Sequence, residues 1–192
     1  MSEEGRASRR SLLSGAGMTL AGAGALAISA CGHKSKSGRQ SVKKLPRSIQ
    51  LHDVELLGRA LELERRTVAA YTAGIPLLTR PDAKTAKQFL NEELQHTGEL
   101  LGLIKAAGGK LIAPAASYDI GHPTDGSGVL ALLHELERAQ IAAYLSAIPE
   151  LVPGPVRAAV ASILANDAQH VAILRLAQGL SPAPSAFVTG SE

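Results

Sequence analysis

Residues 62–76 read ELERRTVAAYTAGIP and residues 135–149 read ELERAQIAAYLSAIP. Between residues 61–76 and 134–149, nine of sixteen positions are identical. Each copy is followed by an acid-x-x-His unit, Glu93-Leu94-Gln95-His96 in the first half and Asp167-Ala168-Gln169-His170 in the second. The offset is 73 residues at the first motif and 74 at the histidines, so the halves differ by one inserted residue. A chain written twice in this way folds into two like units related by a pseudo-twofold axis. Here the duplicated unit includes side chains able to ligate a metal.

The periodicity of each unit is helical. Leu57, Leu61, Glu64, Val68, Tyr71 and Ile75 recur at steps of three and four over 53–75, and Pro76 ends that helix. Pro81-Asp82 reads as a helix start, because proline suits the first position and an acid favours the positive end of the helix dipole. The second helix is expected over about 82–107, with Phe89, Glu93, His96, Leu100 and Leu103 inward and Gly108-Gly109 as its stop. A third covers about 128–148, with Leu130, Leu133, Glu137, Ile141, Tyr144 and Ile148 on one face. A fourth covers about 155–178, with Val160, Ile163, Asp167, His170 and Leu174 inward. Long β-branched or aromatic runs are missing, which argues against strands.

Link lengths set the topology. The first and last links are short, so helices one and two, and three and four, form antiparallel hairpins. The middle link, residues 108–127, is dense in Gly and Pro and reaches roughly 60 Å when extended. A helix of this class is about 36 Å long. The link therefore spans the bundle and starts helix three at the opposite end, giving an all-α four-helix bundle of two hairpins joined by a long crossover over residues 51–180. The Pro-containing segment 181–192 reads as a disordered tail.

The formal net charge of +3 divides unevenly. Residues 32–47 carry Lys34, Lys36, Arg39, Lys43, Lys44 and Arg47 and no acid, whereas residues 48–192 hold 11 basic and 15 acidic side chains. The basicity belongs to a tether over 31–50, which suits anionic lipid. The acidic remainder argues against a nucleic-acid partner. Upstream, Ser8-Arg9-Arg10-Ser11-Leu12-Leu13 opens a weakly apolar stretch to Ala30 that is similar to a twin-arginine export signal, with an ordinary secretory signal as the alternative. It ends Leu26-Ala27-Ile28-Ser29-Ala30-Cys31-Gly32, which resembles a bacterial lipobox; an uncleaved anchor is the other reading, though a Gly-rich stretch makes a poor spanning helix. The expectation is a signal over 1–30, a lipid anchor on Cys31, passage through the twin-arginine machinery, and residence on the outer face of the cytoplasmic membrane. Cys31 is the sole cysteine, so no intrachain disulfide is available.

Positions i and i+3 share a helical face, so Glu93 with His96, and Asp167 with His170, can each approach one ion. Glu64 and Glu137 stand within otherwise apolar stripes. Four carboxylates buried bare would cost several kcal/mol per ion. Two divalent cations would neutralise them, and a mixed carboxylate–imidazole set suits iron or manganese.

With the two ExxH-type units each behind ELER-x-x-[VI]-AAY, the chain resembles the ferritin-like superfamily, in particular the ferritin-like domains of exported bacterial proteins, over about residues 50–180. The segment LGLIKAAGGKLIAPAASYD (101–119) is similar to the stretch after helix two in that family. The resemblance implies a ferritin-like bundle with two iron or manganese ions bound by Glu64, Glu93, His96, Glu137, Asp167 and His170, with Glu93 and Asp167 bridging. Family members usually carry Glu where this chain has Asp167, so a skewed bridge or one weakly held metal is expected. Tyr71 and Tyr144, two turns beyond Glu64 and Glu137, are candidate catalytic residues as hydroxyl partners of ligand carboxylates or as redox-active phenols; core tyrosines at helical spacing are the other reading. His134 reads as a surface or satisfied core histidine. The function implied is redox chemistry with a small oxidant, oxygen or peroxide. The alternative is a non-enzymatic envelope or stress-related protein without a working metal site, its acids solvated or paired to Arg65, Arg66 and Arg138. Association as a homodimer is compatible with either.

Overall fold

The computed structural model of the chain describes residues 45–110 and 112–192. The signal, Cys31 and most of the tether lie outside the described residues. Four helices account for the fold: α1 (Arg47–Gly74), α2 (Arg80–Ala106), α3 (Gly126–Ala147) and α4 (Gly154–Ala177). No strand occurs among the described residues. A single 3-10 turn, Ile75–Leu77, joins α1 to α2.

The boundaries follow from capping chemistry. Thr79 caps α2 by accepting from the Asp82 amide at 3.4 Å, and its own hydroxyl donates to the Asp82 carboxylate at 2.6 Å. Asp125 caps α3 by accepting from the Gly128 amide at 2.8 Å. Gly108, at φ +78°, and Gly179, at φ +73°, turn the chain out of α2 and α4. The following amides reach back to the helices, Gly109 to the Ile104 carbonyl and Leu180 to the Arg175 carbonyl, each at 2.9 Å. Helix α1 starts at Arg47, inside the segment read as tether. Its first turn is closed by the Gln50 amide on the Pro46 carbonyl at 3.2 Å and buries no side chain, so no apolar period announces it.

The bundle is square. Helix α1 packs on α2 and α3, and α4 packs on α3 and α2, which leaves α1/α4 and α2/α3 as diagonals. Helices α1 and α3 run antiparallel. The end of α1 at Gly74 meets the start of α3 at Val129, while Asp53 near the start of α1 accepts from the Val152 amide beyond the end of α3 at 3.2 Å. The crossover travels the length of α1. It leaves α2 beside Val54, receives the Arg65 guanidinium on the Ile112 carbonyl at 2.7 Å and Arg66 on the Asp119 carbonyl at 2.8 Å, and reaches Leu77 as α3 begins. Arg65 also pairs with Glu62 at 2.6 Å. These two arginines hold the crossover and do not serve as partners for the buried acids.

Two apolar clusters fill the interior. One gathers Leu57, Leu61, Leu100, Ile104, Tyr144, Val160 and Ile163. The other gathers Ala70, Tyr71, Phe89, Val129, Leu133 and Leu174. Between them lies a layer of buried polar residues. The last residues of the chain carry no helix but rest on α3: at Gly190 (φ +80°) a β-carbon would stand 2.7 Å from the Arg138 carbonyl, so this contact admits only glycine.

Candidate metal centre

The polar layer brings together all six ligand candidates. Glu64 comes from α1, Glu93 and His96 from α2, Glu137 from α3, and Asp167 and His170 from α4. The four carboxylates are wholly buried, His170 is 1% exposed and His96 9%. The i, i+3 geometry turns both imidazoles inward through Nδ1. His96 Nδ1 stands 3.4 Å from Glu93, 3.4 Å from Asp167 and 3.7 Å from Glu64. His170 Nδ1 stands 3.3 Å from Glu93 and 3.1 Å from Glu137. Two sets of ligand-type atoms result: Glu64, Glu93 and His96 in one, and Glu93, Glu137, Asp167 and His170 in the other. Glu93 belongs to both, through the same Oε1 that lies near each histidine. Asp167 joins the second set and extends toward His96 as well.

The tyrosines cross the pseudo-twofold axis. Tyr71, from the first half, donates to Glu137 Oε1 of the second at 2.6 Å. Tyr144, from the second half, donates to Glu64 Oε1 of the first. Each phenol thus occupies one oxygen of a carboxylate and leaves the other free. Gln140 does the same for Glu93, donating to its Oε2 at 3.0 Å, while Thr67 donates to the Gln140 amide oxygen at 2.9 Å. Thr67 and Gln140 occupy the same position in the two repeats, three residues after Glu64 and Glu137. Comparing the repeats could have found them, because they are polar residues on an inward face. Glu92 carries no such signal, since it reads as a surface acid of α2. Nevertheless its Oε2 lies 2.7 Å from His170 Nε2, and the Phe89 ring stacks on His170 at 4.0 Å. His134 is buried but faces elsewhere, among Ala131, Arg138, Gln178 and Gly190.

These bonds leave a set of polar atoms unmatched. Glu64 Oε2, Glu93 Oε1, His96 Nδ1, Glu137 Oε2 and both Asp167 oxygens are buried without a hydrogen-bond partner. Buried polar atoms are nearly always satisfied, so six orphans in one layer require a counter-charge. Without a cation, protons supply it. Burial pushes Glu64 up to about 8 and Glu137 up to about 7, in each case assisted by the Glu93 charge. Burial and the charges of Glu137, Glu93 and Glu64 push Asp167 well above the carboxylate range. Burial would also raise Glu93, but His170 and His96 outweigh it and hold the group well below that range. Burial opposes charge on the histidines, yet the carboxylates beside them win and lift His96 to about 10 and His170 to about 11. The centre therefore attracts positive charge strongly. The donor set, carboxylate oxygens with two imidazole nitrogens and no thiolate, is compatible with a site for hard or borderline divalent ions.

Fold and site together define a helical-bundle protein with a buried carboxylate–histidine centre of pseudo-twofold symmetry. A ferritin-like domain model matches residues 52–180, and the chain belongs to that family. Among solved structures it is similar to a conserved hypothetical protein, rv2844, from Mycobacterium tuberculosis, at 17% identity and a TM-score of 0.65, covering 72% of this chain and 99% of that one. This likeness concerns the fold. No curated protein matches the chain.

Proposed function

We propose that the protein binds a dinuclear iron or manganese centre through Glu64, Glu93, His96, Glu137, Asp167 and His170, and that it uses this centre for redox chemistry with oxygen or peroxide at the cell envelope. The observation that carries the reading is the set of six orphaned buried atoms, five carboxylate oxygens and one imidazole nitrogen, converging between two apolar clusters. Metals in the divalent state supply the electrons and the Lewis acidity. The chain supplies the rest. Glu93 is oriented by Gln140 so that Oε1 faces both histidines. The phenols of Tyr71 and Tyr144 orient Glu137 and Glu64, and are the oxidisable side chains nearest the centre, each with a carboxylate placed to accept its proton. The apolar clusters on either side keep water from reaching the centre along the bundle. Export through the twin-arginine route and a lipid anchor on Cys31 complete the reading, supported by the residues before position 45. No helix among the described residues is long and apolar enough to cross a membrane.

The deciding experiment is elemental analysis of residues 45–192, with Glu93→Ala/His170→Ala as the control. The expected result is two metal ions per chain, lost in the control. A folded, metal-free bundle unaffected by the substitutions would instead favour a non-enzymatic envelope protein.

A further inference from the structure

The repeat aligns His96 with His170, and the residues behind the two histidines do not match. Behind His170 stand Phe89, stacked on the ring at 4.0 Å, and Glu92, whose carboxylate lies 2.7 Å from Nε2. Their repeat counterparts, 74 positions on, are Ile163 and Asn166. Among the described residues, His96 has no stacked phenyl ring, and no carboxylate lies within 4.0 Å of its Nε2. Its ionic partners all lie on the Nδ1 side, inside the centre. It borders an open cleft of about 670 Å³, lined also by Gln95, Glu99, Ser162, Asn166 and Gln169. The side chain of His96 is 11% exposed, against 1% for His170.

We propose that the two halves of the centre are inequivalent: the His170 half is a closed, tightly held cation position, the His96 half is an exchangeable one loaded through this cleft, and Glu92 is the positioning residue that sets the difference. The physical reason lies in the imidazole. A carboxylate that accepts the Nε2 proton fixes the tautomer, leaves the Nδ1 lone pair pointing at the metal, fixes the ring plane and raises ligand basicity. Asn166, at the matching position, lines the same cleft as His96, interacts with Glu92, and as a neutral amide supplies no such charge to His96. The open cleft gives water and chelators access to the His96 half, whereas Phe89 seals the other.

The inference rests on the proposed dinuclear centre, and the test separates the two. The full chain, stripped of metal, is titrated with Mn(II) while free Mn(II) is followed by electron paramagnetic resonance. Release to EDTA is then timed. The expected result is two binding steps of different affinity and biphasic release. Glu92→Gln weakens the tighter step by about 10- to 100-fold and leaves the weaker within about twofold. Asn166→Asp moves the other way, tightening the weaker step and slowing the fast release phase. Circular dichroism checks that each variant keeps its helices, and an Asn166→Asp variant whose weaker step is unchanged also overturns the inference. Two equivalent steps in the parent chain, or a Glu92→Gln variant that alters both steps equally or neither, overturn the inference while leaving the dinuclear reading intact. Absence of Mn(II) and iron binding in the parent chain overturns both.

Discussion

Tyr71 and Tyr144 perform the same task from opposite halves, and the cost of removing either is set by what it leaves behind. Tyr71→Phe deletes the phenol donor to Glu137 Oε1 and leaves that oxygen only His170 Nδ1, in a layer that already holds six orphaned atoms. The metal-free protein should lose about 1–3 kcal/mol, read from urea denaturation, and the loss should shrink once metal is bound. Tyr144→Phe should cost at least as much, because it leaves Glu64 Oε1 with no partner. Gln140→Leu should release Glu93 Oε2 and leave the Thr67 hydroxyl only the Leu63 carbonyl of its own helix, lowering metal affinity without removing a ligand. At this scale the sequence was legible where chemistry repeats. The six ligand-type residues and both tyrosines sit on helical stripes at matching offsets, and they meet in the structure. Glu92 was not legible, because its part depends on the position of a neighbouring helix. The shorter Asp167 was expected to skew one bridge. Both of its oxygens lack partners, and it reaches toward His96 while grouping with His170.

At the scale of elements, the end of α1 lies tightly against the start of α3. A β-carbon on Gly74 would stand 2.6 Å from Val129 Cγ1, and Val129 is fully buried and stiff at its branch point. Gly74→Ala should therefore cost about 1–3 kcal/mol by overpacking, and Val129→Ala in the same chain should recover part of it, as thermal melts of the single and double variants would show. The helices themselves followed from periodicity and punctuation, and proline and glycine placed their ends within a few residues, with α1 the exception. Its early start is invisible because an exposed first turn has no period to betray it. The inward stripes were read almost correctly. Thr67, Ile104 and Val129 take buried places assigned to Val68, Leu103 and Leu130, since neighbouring positions differ by only about 100° and packing decides between them. The crossover's length implied its route, but not that Arg65 and Arg66 would fasten it by its carbonyls.

For the whole molecule, the protonation of the centre couples stability to pH. His96 and His170 are raised from 6.5 to about 10 and about 11, and Glu64 and Glu137 from 4.5 to about 8 and about 7. A group with a raised pKa holds its proton longer folded than unfolded. Its contribution is complete below the unfolded value and is lost as pH climbs through the folded one. The metal-free protein should therefore melt at falling temperature from about pH 5 to about pH 10, each titrating group contributing at most about 1.4 kcal/mol per pH unit. Glu93, shifted down, acts in the opposite sense, but its contribution is already complete above the ordinary carboxylate range. On the proposed reading a bound cation would displace these same protons, so apparent affinity should rise with pH across that window. The gap between metal-loaded and metal-free melting temperatures should accordingly widen, as paired calorimetric scans would reveal.

The crossed tyrosine–glutamate bonds have a consequence for chain continuity. Each hairpin carries the carboxylate that the other's phenol must hold, so neither half can complete its own interior alone. A single proteolytic nick in the long segment between α2 and α3 would not simply yield two smaller domains. It would yield two mutually dependent fragments, and a divalent ion in the medium would decide how firmly they stay together.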